Sequence, residues 1–237
     1  MKDLRKNDAK SPSVNRDVDA FLRQVAATPS VKAAGKPGRL LFAMDATASR
    51  EPTWDRACDL QGQMFEETAT LGGLDVQLAW YRGFREFHAS PWVRKATDLL
   101  AQMTGVRCLG GRTQIGRVLD HAIAETKRER INALVLVGDC MEEDIDDVCH
   151  RAGQLGLLGV PAFVFQEGRD PVAETAFRQI AQLTRGAWCP FDHNSAQQLR
   201  ELLRAVAVFA AGGRRALADH SKRHGGLALR LTHQIGN

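Results

Sequence analysis

Several protein classes are absent from this 237-residue sequence before any motif is sought. The opening residues, MKDLRKNDAK, alternate charges and hold no apolar core, so no secretory signal is expected. The longest apolar stretch, 155–165 (LGLLGVPAFVF), is half the length of a bilayer span and contains Pro161, so no membrane span is expected. The five cysteines (Cys58, Cys108, Cys140, Cys149 and Cys189) are odd in number and form no CxxC. They read as reduced thiols in a reducing compartment, which makes the expected location cytoplasmic. Neither GxxxxGK[ST] nor GxSxG occurs, which removes the common nucleotide-hydrolase and esterase readings. Seven histidines include no HExxH and no pair at metal-ligand spacing.

What is present is an ordinary globular composition: 44% hydrophobic, 25% charged, with 21 glycines and eight prolines. A chain of 26.1 kDa buries roughly 70% of its extended surface on folding, so it needs no disulfide or structural metal. The net charge of +4 is uneven. Residues 1–38 carry eight Lys/Arg against four Asp/Glu, and residues 212–237 carry five against one, so the middle is acidic. Neither basic end interleaves aromatics with its charges, so both are expected to be solvated tails, and nucleic acid is not an expected partner.

Apolar periodicity then divides the chain. Val18, Phe21, Leu22 and Val25 predict a short amphipathic helix over 15–26, after a disordered stretch at 1–13. Residues 28–39 read as a linker. Strands are expected at 40–44 (LLFAM), 74–81 (LDVQLAWY), 84–88 (FREFH), 133–137 (ALVLV), 160–165 (VPAFVF) and 187–191. The continuous apolar runs suit strands buried on both faces, whereas FREFH alternates and suits an antiparallel edge. Helices are expected at 52–71, 91–103, 113–127, 148–158, from the Asp170 cap to about Arg185, and from a Ser195 cap to 211. Beyond Gly212–Gly213 the pattern stops.

Strand–helix alternation of this kind predicts an α/β fold with a doubly wound, mostly parallel six-stranded sheet, helices covering both faces. There is no eightfold series, which excludes a TIM barrel. The expected organisation is a flexible basic N-terminal segment (1–37) holding a short helix, one α/β domain (38–211), and a basic C-terminal tail (212–237). In such a sheet, of order 3-2-1-4-5-6, ligands bind at the carboxyl ends of the strands where the order reverses.

Three loops at that edge carry oxygen side chains. The first strand ends in Asp45-Ala46-Thr47-Ala48-Ser49. The loop before the strongest helix reads Gly110-Gly111-Arg112-Thr113, and the fourth strand ends in Gly138-Asp139. Magnesium takes oxygen ligands and keeps several waters, so two carboxylates and some hydroxyls suffice for it. Strands one and four would be neighbours about 4.8 Å apart, and two adjacent carboxylates without a cation would repel until one protonated.

Asp45-x-Thr47-x-Ser49, Thr113 and Asp139, in this order and on these elements, resemble the metal-ion-dependent adhesion site (MIDAS) of von Willebrand factor A (VWA) domains. The resemblance covers about 39–211. It implies the doubly wound fold with one antiparallel edge strand, a magnesium or manganese ion held at Asp45, Thr47, Ser49, Thr113 and Asp139, and a protein partner whose Asp or Glu completes the coordination. It also implies service in a multi-protein machine, including those with AAA+ ATPases. Thr47 stands where serine is usual, and Cys140 follows Asp139 where the family often has glycine.

Simpler readings compete. Asp45, Thr47 and Ser49 could form a strand-to-helix turn through Asx and Ser/Thr bonds, and Thr113 could be a plain N-cap. The acidic run Glu142–Asp147 reads as a first helical turn, where carboxylates complement the macrodipole. Cys140, with no base spaced to activate it, reads as inert. One enzyme reading also fits part of the pattern. The strand ends resemble haloacid-dehalogenase-like phosphotransferases, with Asp45 as nucleophile and magnesium bridged to Asp139 and Glu143 or Asp144. It lacks a second aspartate at position 47 and leaves Thr113 without a role. The residues otherwise hold no catalytic base or nucleophile set, so a binding module is expected.

Overall fold

Successive residues of a strand face opposite sides of a sheet, and here each apolar run supplies both sides. In a computed structural model describing residues 12–29, 36–51, 53–58, 73–191 and 196–223, strand β1 (Gly38–Asp45) is buried along its whole length. Its Leu40, Phe42 and Met44 enter one core and its Leu41 and Ala43 the other. Strand β4 (Ala133–Gly138) and β5 (Ala162–Glu167) divide their side chains in the same way. β2 (Leu74–Arg82), β3 (Glu86–Ala89) and β6 (Ala187–Phe191) complete a six-stranded sheet of order β3-β2-β1-β4-β5-β6. Every pairing is parallel except β2 with β3. The sequence expectation for the fold stands.

Helices α1 (Pro12–Ala27), α2 (Ala96–Thr104) and α6 (Ala196–Arg223) cover one face. Helices α3 (Ile115–Arg128), α4 (Ile145–Leu157) and α5 (Pro171–Leu183) cover the other. Asp170 caps α5 as expected, its Oδ1 accepting from Ala173 N at 2.6 Å. The helix expected at 52–71 is seen as helical residues at 51 and 53–58, and its remainder lies outside the described residues, as do the Ser195 cap and residues 1–11.

Three expectations change. The helix predicted from Pro91 begins instead at Ala96, because Val93 is drawn to the sheet edge, where it exchanges two 2.8 Å backbone hydrogen bonds with Val76. The N-terminal helix is part of the core. Phe21 is fully buried and meets Phe163 and Phe165 edge-to-face at 6.1 and 5.2 Å between centroids. A short isolated helix is marginal, but this one covers apolar surface that β5 leaves open, and packing supplies the stability its length does not.

The C-terminal segment also continues past its glycines. Gly213 leaves helical geometry (φ 70°, ψ −165°), a conformation that costs glycine little, and helix resumes beyond it. Ala216 and Leu217 are buried there, and Arg214 Nε donates to the Ala26 carbonyl at the end of α1 at 2.6 Å. The glycine pair is a bend, and two apolar residues one turn later hold the resumed helix against the domain.

If α1 is integral, Phe21→Ala should lower unfolding stability by about 3–5 kcal/mol, the usual range for a large core aromatic. Urea denaturation would measure this, and a loss below about 1 kcal/mol would mean that α1 is peripheral.

Candidate functional site

Adjacent parallel strands with matched register bring their last residues to one rim. Met44 of β1 is the register partner of Val137 of β4, so Asp45 and Gly138-Asp139 leave the sheet side by side. Asp45 is 1% exposed, and its Oδ1 accepts from Thr47 N at 2.7 Å, the Asx-type bond expected of Asp-x-Thr. Thr47 Oγ1 and Ser49 Oγ stand 3.4 Å apart. Ser49 Oγ then donates to Asp139 Oδ2 at 2.8 Å, joining the first loop to the loop after β4.

Thr113, nearly buried, ties in the remaining loop. Its Oγ1 accepts from Glu142 N at 3.0 Å and its own N donates to Glu142 Oε2 at 3.1 Å. Leu109 N donates to the Ala46 carbonyl at 3.0 Å, so the first and second loops are bonded directly as well. All five residues singled out in the sequence therefore stand on three mutually hydrogen-bonded loops at the carboxyl rim. The turn reading of Asp45 and Thr47 describes a real hydrogen bond, but it does not account for the reach of Ser49 to the next strand.

The plain N-cap reading of Thr113 does not hold. Gln114 is the capping residue of α3, and it makes no side-chain capping bond. The helix is capped from another loop: Ile115 N donates to Glu143 Oε1 at 2.5 Å and Gly116 N to Glu143 Oε2 at 2.9 Å. A carboxylate here satisfies two orphan amides and complements the helix dipole. The acidic run thus divides. Glu142 and Glu143 serve α3 and its approach, while Asp144 caps α4 by accepting from Asp147 N at 3.0 Å, with Asp146 and Asp147 in the first turn. The sequence pattern assigns the whole run to one helix because nothing local signals a cap supplied from 28 residues away.

That division also counts against the phosphotransferase reading. Glu143 and Asp144, its candidate metal ligands, are both engaged by helix amides, and Thr113, which it left idle, holds the loops together. Cys140 is held as a neutral thiol: burial, with Asp139 and Asp45 beside it, pushes its pKa up to about 12. That thiol is not activated as a nucleophile.

Tyr81, the one tyrosine in the chain, reads in the sequence as strand core and nothing more. It lies opposite Asp45 in register at the end of β2, and its carbonyl accepts from Ala46 N at 2.9 Å. Its side chain is fully buried, and among the described residues its hydroxyl has no hydrogen-bond partner. Burial first, then the carboxylates of Asp45 and Glu143, hold it well above the ordinary phenol range. The available signal was positional: an apolar strand ending in a hydroxyl at the rim where its neighbour ends in aspartate.

As a cation site, the rim offers oxygen alone: two carboxylates and three hydroxyls. No cluster of three or more His, Cys, Asp or Glu side chains able to hold a metal occurs among the described residues, so a histidine or cysteine centre does not fit. A hard divalent ion that keeps part of its water shell does fit this donor chemistry. The buried Tyr81 hydroxyl, which finds no partner among the described residues, lies close to Gly138 at the end of β4.

No family model matches the sequence, and no curated protein matches it. Solved structures do match. The chain is similar to the VWA domain of SpRpn10 (TM-score 0.54, 13% identity, covering 70% of this chain and 94% of that one). It is similar to the vWF domain of the type V pili tip protein Mfa5 from Porphyromonas gingivalis (0.59, 9% identity, 75% and 97% covered). A third likeness is to proximal thread matrix protein 1 of the mussel byssus, in a structure with a zinc-occupied MIDAS motif (0.58, 14% identity, 76% and 48% covered). The chain spans about half the length of the mussel protein. At these identities the likeness is one of fold, and the fold is that of a VWA domain.

Removing the remote cap should be felt globally. Glu143→Ala is expected to cost about 1–2 kcal/mol by denaturant unfolding, since two amides at the start of α3 lose their acceptor. An unchanged midpoint would show that water replaces the carboxylate at no cost.

Proposed function

We propose that this VWA-fold chain is a protein–protein interaction module that binds magnesium or manganese at Asp45, Thr47, Ser49, Thr113 and Asp139 and uses the ion to dock an acidic side chain of a partner. The observation that carries the reading is the 2.8 Å bond from Ser49 to Asp139, which brings a hydroxyl and a carboxylate from different strand ends into one polar cluster beside buried Asp45. The zinc-occupied motif of the mussel relative supports a divalent ion on this fold.

Within that reading each residue has a task. Asp45 and Asp139 supply the negative charge, and their closeness is tolerable because a cation offsets it. Thr47, Ser49 and Thr113 supply neutral oxygens, which position the ion without quenching its charge. When bound, the ion acts as an electrophile toward one exchangeable anionic ligand, here the partner's Asp or Glu. Glu143 and Glu142 hold the α3 loop in place without spending the site's own carboxylates.

The partner is assigned to a multi-protein assembly of the AAA+ ATPase-linked kind, in the cytoplasm. No two of the five cysteines are disulfide-bonded, and no helix among the described residues is long and apolar enough to cross a membrane.

Millimolar magnesium should raise the melting temperature of the wild type by roughly 5–10 °C at about 100 times Kd, and leave Asp45→Ala unmoved. Equal melting of wild type with and without metal would sink the cation site. A pull-down repeated with chelator then tests the partner half of the reading, because capture that survives chelation does not run through an ion.

A further inference from the structure

Beside the candidate cation site, two loops are locked together and present an exposed surface of uniform sign. Gly83, at φ +57° in the β2–β3 turn, and Gly111 meet backbone to backbone. A Cβ on Gly111 would lie 2.2 Å from the Gly83 carbonyl oxygen, and Arg112 N donates to that same oxygen at 2.9 Å. The contact admits only glycine at 111, so the turn and the 107–112 loop form one rigid unit. The unit abuts the site on both sides: Leu109 N bonds the Ala46 carbonyl, and Thr113 follows Arg112 directly.

The side chains on this unit are not those of an idle surface. Phe84 at the tip of the turn is 77% exposed and Leu109 is 50% exposed, which places two large apolar groups on the two bonded loops. On the same two loops Arg85, Arg107 and Arg112 are exposed, and among the described residues none of the three pairs with a carboxylate. Arg117 leans in from α3, bonding the Arg85 carbonyl at 2.7 Å. Arg82 is the exception, since Glu86 neutralises it with bonds of 2.7 and 2.8 Å. The nearby acids are engaged elsewhere: Glu142 and Glu143 face the amides before and at the start of α3. Scattered exposed apolar residues are ordinary, but two large ones on one rigid unit that also carries three exposed arginines without carboxylate partners are not.

We propose that the Phe84 turn and the 107–112 loop are a docking rim that selects the partner: an acidic segment of a protein, carrying at least one apolar side chain, whose Asp or Glu enters the neighbouring cation site. The inference rests on the reading of that site given above for its final contact, while the arginines and Phe84 act without it. Charge complementarity commits the occupant. Arginine binds carboxylates through a planar fork, and it is enriched at interface centres together with aromatic anchors. Steering by such a rim raises the association rate, and the apolar pair adds contact that a purely acidic chain cannot supply.

Fluorescence anisotropy of a labelled ten-residue polyglutamate peptide with one central leucine tests this, in magnesium and in chelator. Binding of this peptide should weaken about ten-fold in the double variant Arg85→Glu/Arg112→Glu and also in Phe84→Ser, with melting temperatures unchanged because all three side chains are exposed. The same peptide with glutamine at every glutamate should not bind. If both variants bind as the wild type does while chelator still abolishes binding, the rim proposal is wrong and the cation site stands. If chelator and Asp45→Ala have no effect while the rim variants lose binding, the rim stands and the cation site falls. A single-stranded oligonucleotide of equal charge binding more tightly than the peptide would overturn the choice of a protein partner.

Discussion

The parallel pairing of β1 with β4 is the constraint on which the rest depends. It sets two carboxylate-bearing strand ends next to each other at a rim where the sheet order reverses, and like charges that close must be offset, separated or neutralised. The structure shows what surrounds them: Ser49 bridges to Asp139, Thr47 N reaches Asp45, and Thr113 is held nearby by Glu142. Every one of these contacts uses an oxygen or an amide, and the one further carboxylate among them, that of Glu142, is engaged by the Thr113 amide.

The two glutamates of the β4–α4 loop explain how such a rim stays rigid. A helix N-terminus needs acceptors for its orphan amides, and Glu143 provides them from a different loop, so the start of α3 is fixed relative to Asp139 rather than relative to its own preceding residues. On the other side, Gly111 against Gly83 clamps the same approach segment to the edge hairpin. The loop bearing Thr113 is thus gripped from both flanks. That grip holds the exposed Phe84 and Leu109 on loops that are bonded to each other and to the domain.

Burial explains why the domain is larger than its strand–helix core. Residues 12–27 and 214–217 fall outside the domain that periodicity predicts, yet Phe21 packs edge-to-face on β5 aromatics and Arg214 reaches the end of α1. One terminal helix closes over the other.

Periodicity in the sequence determined the layers, since a strand buried on both faces must be apolar throughout and an edge strand must alternate; LLFAM, ALVLV and FREFH carried that information locally. The strand ends also pointed to the three loops at one rim, and the resemblance to the VWA adhesion site singled out Asp45, Thr47, Ser49, Thr113 and Asp139 on them. What the sequence did not contain was any contact whose partner lies far away in the chain and whose residue type is common. Glu143 as a remote cap, Val93 as an edge bridge, Tyr81 as a buried hydroxyl behind the carboxylates and the Gly83–Gly111 clamp all exist only because folding brings separate segments within bonding distance. Local pattern dictates which face a side chain takes; only the packed sheet decides which other side chain it meets there.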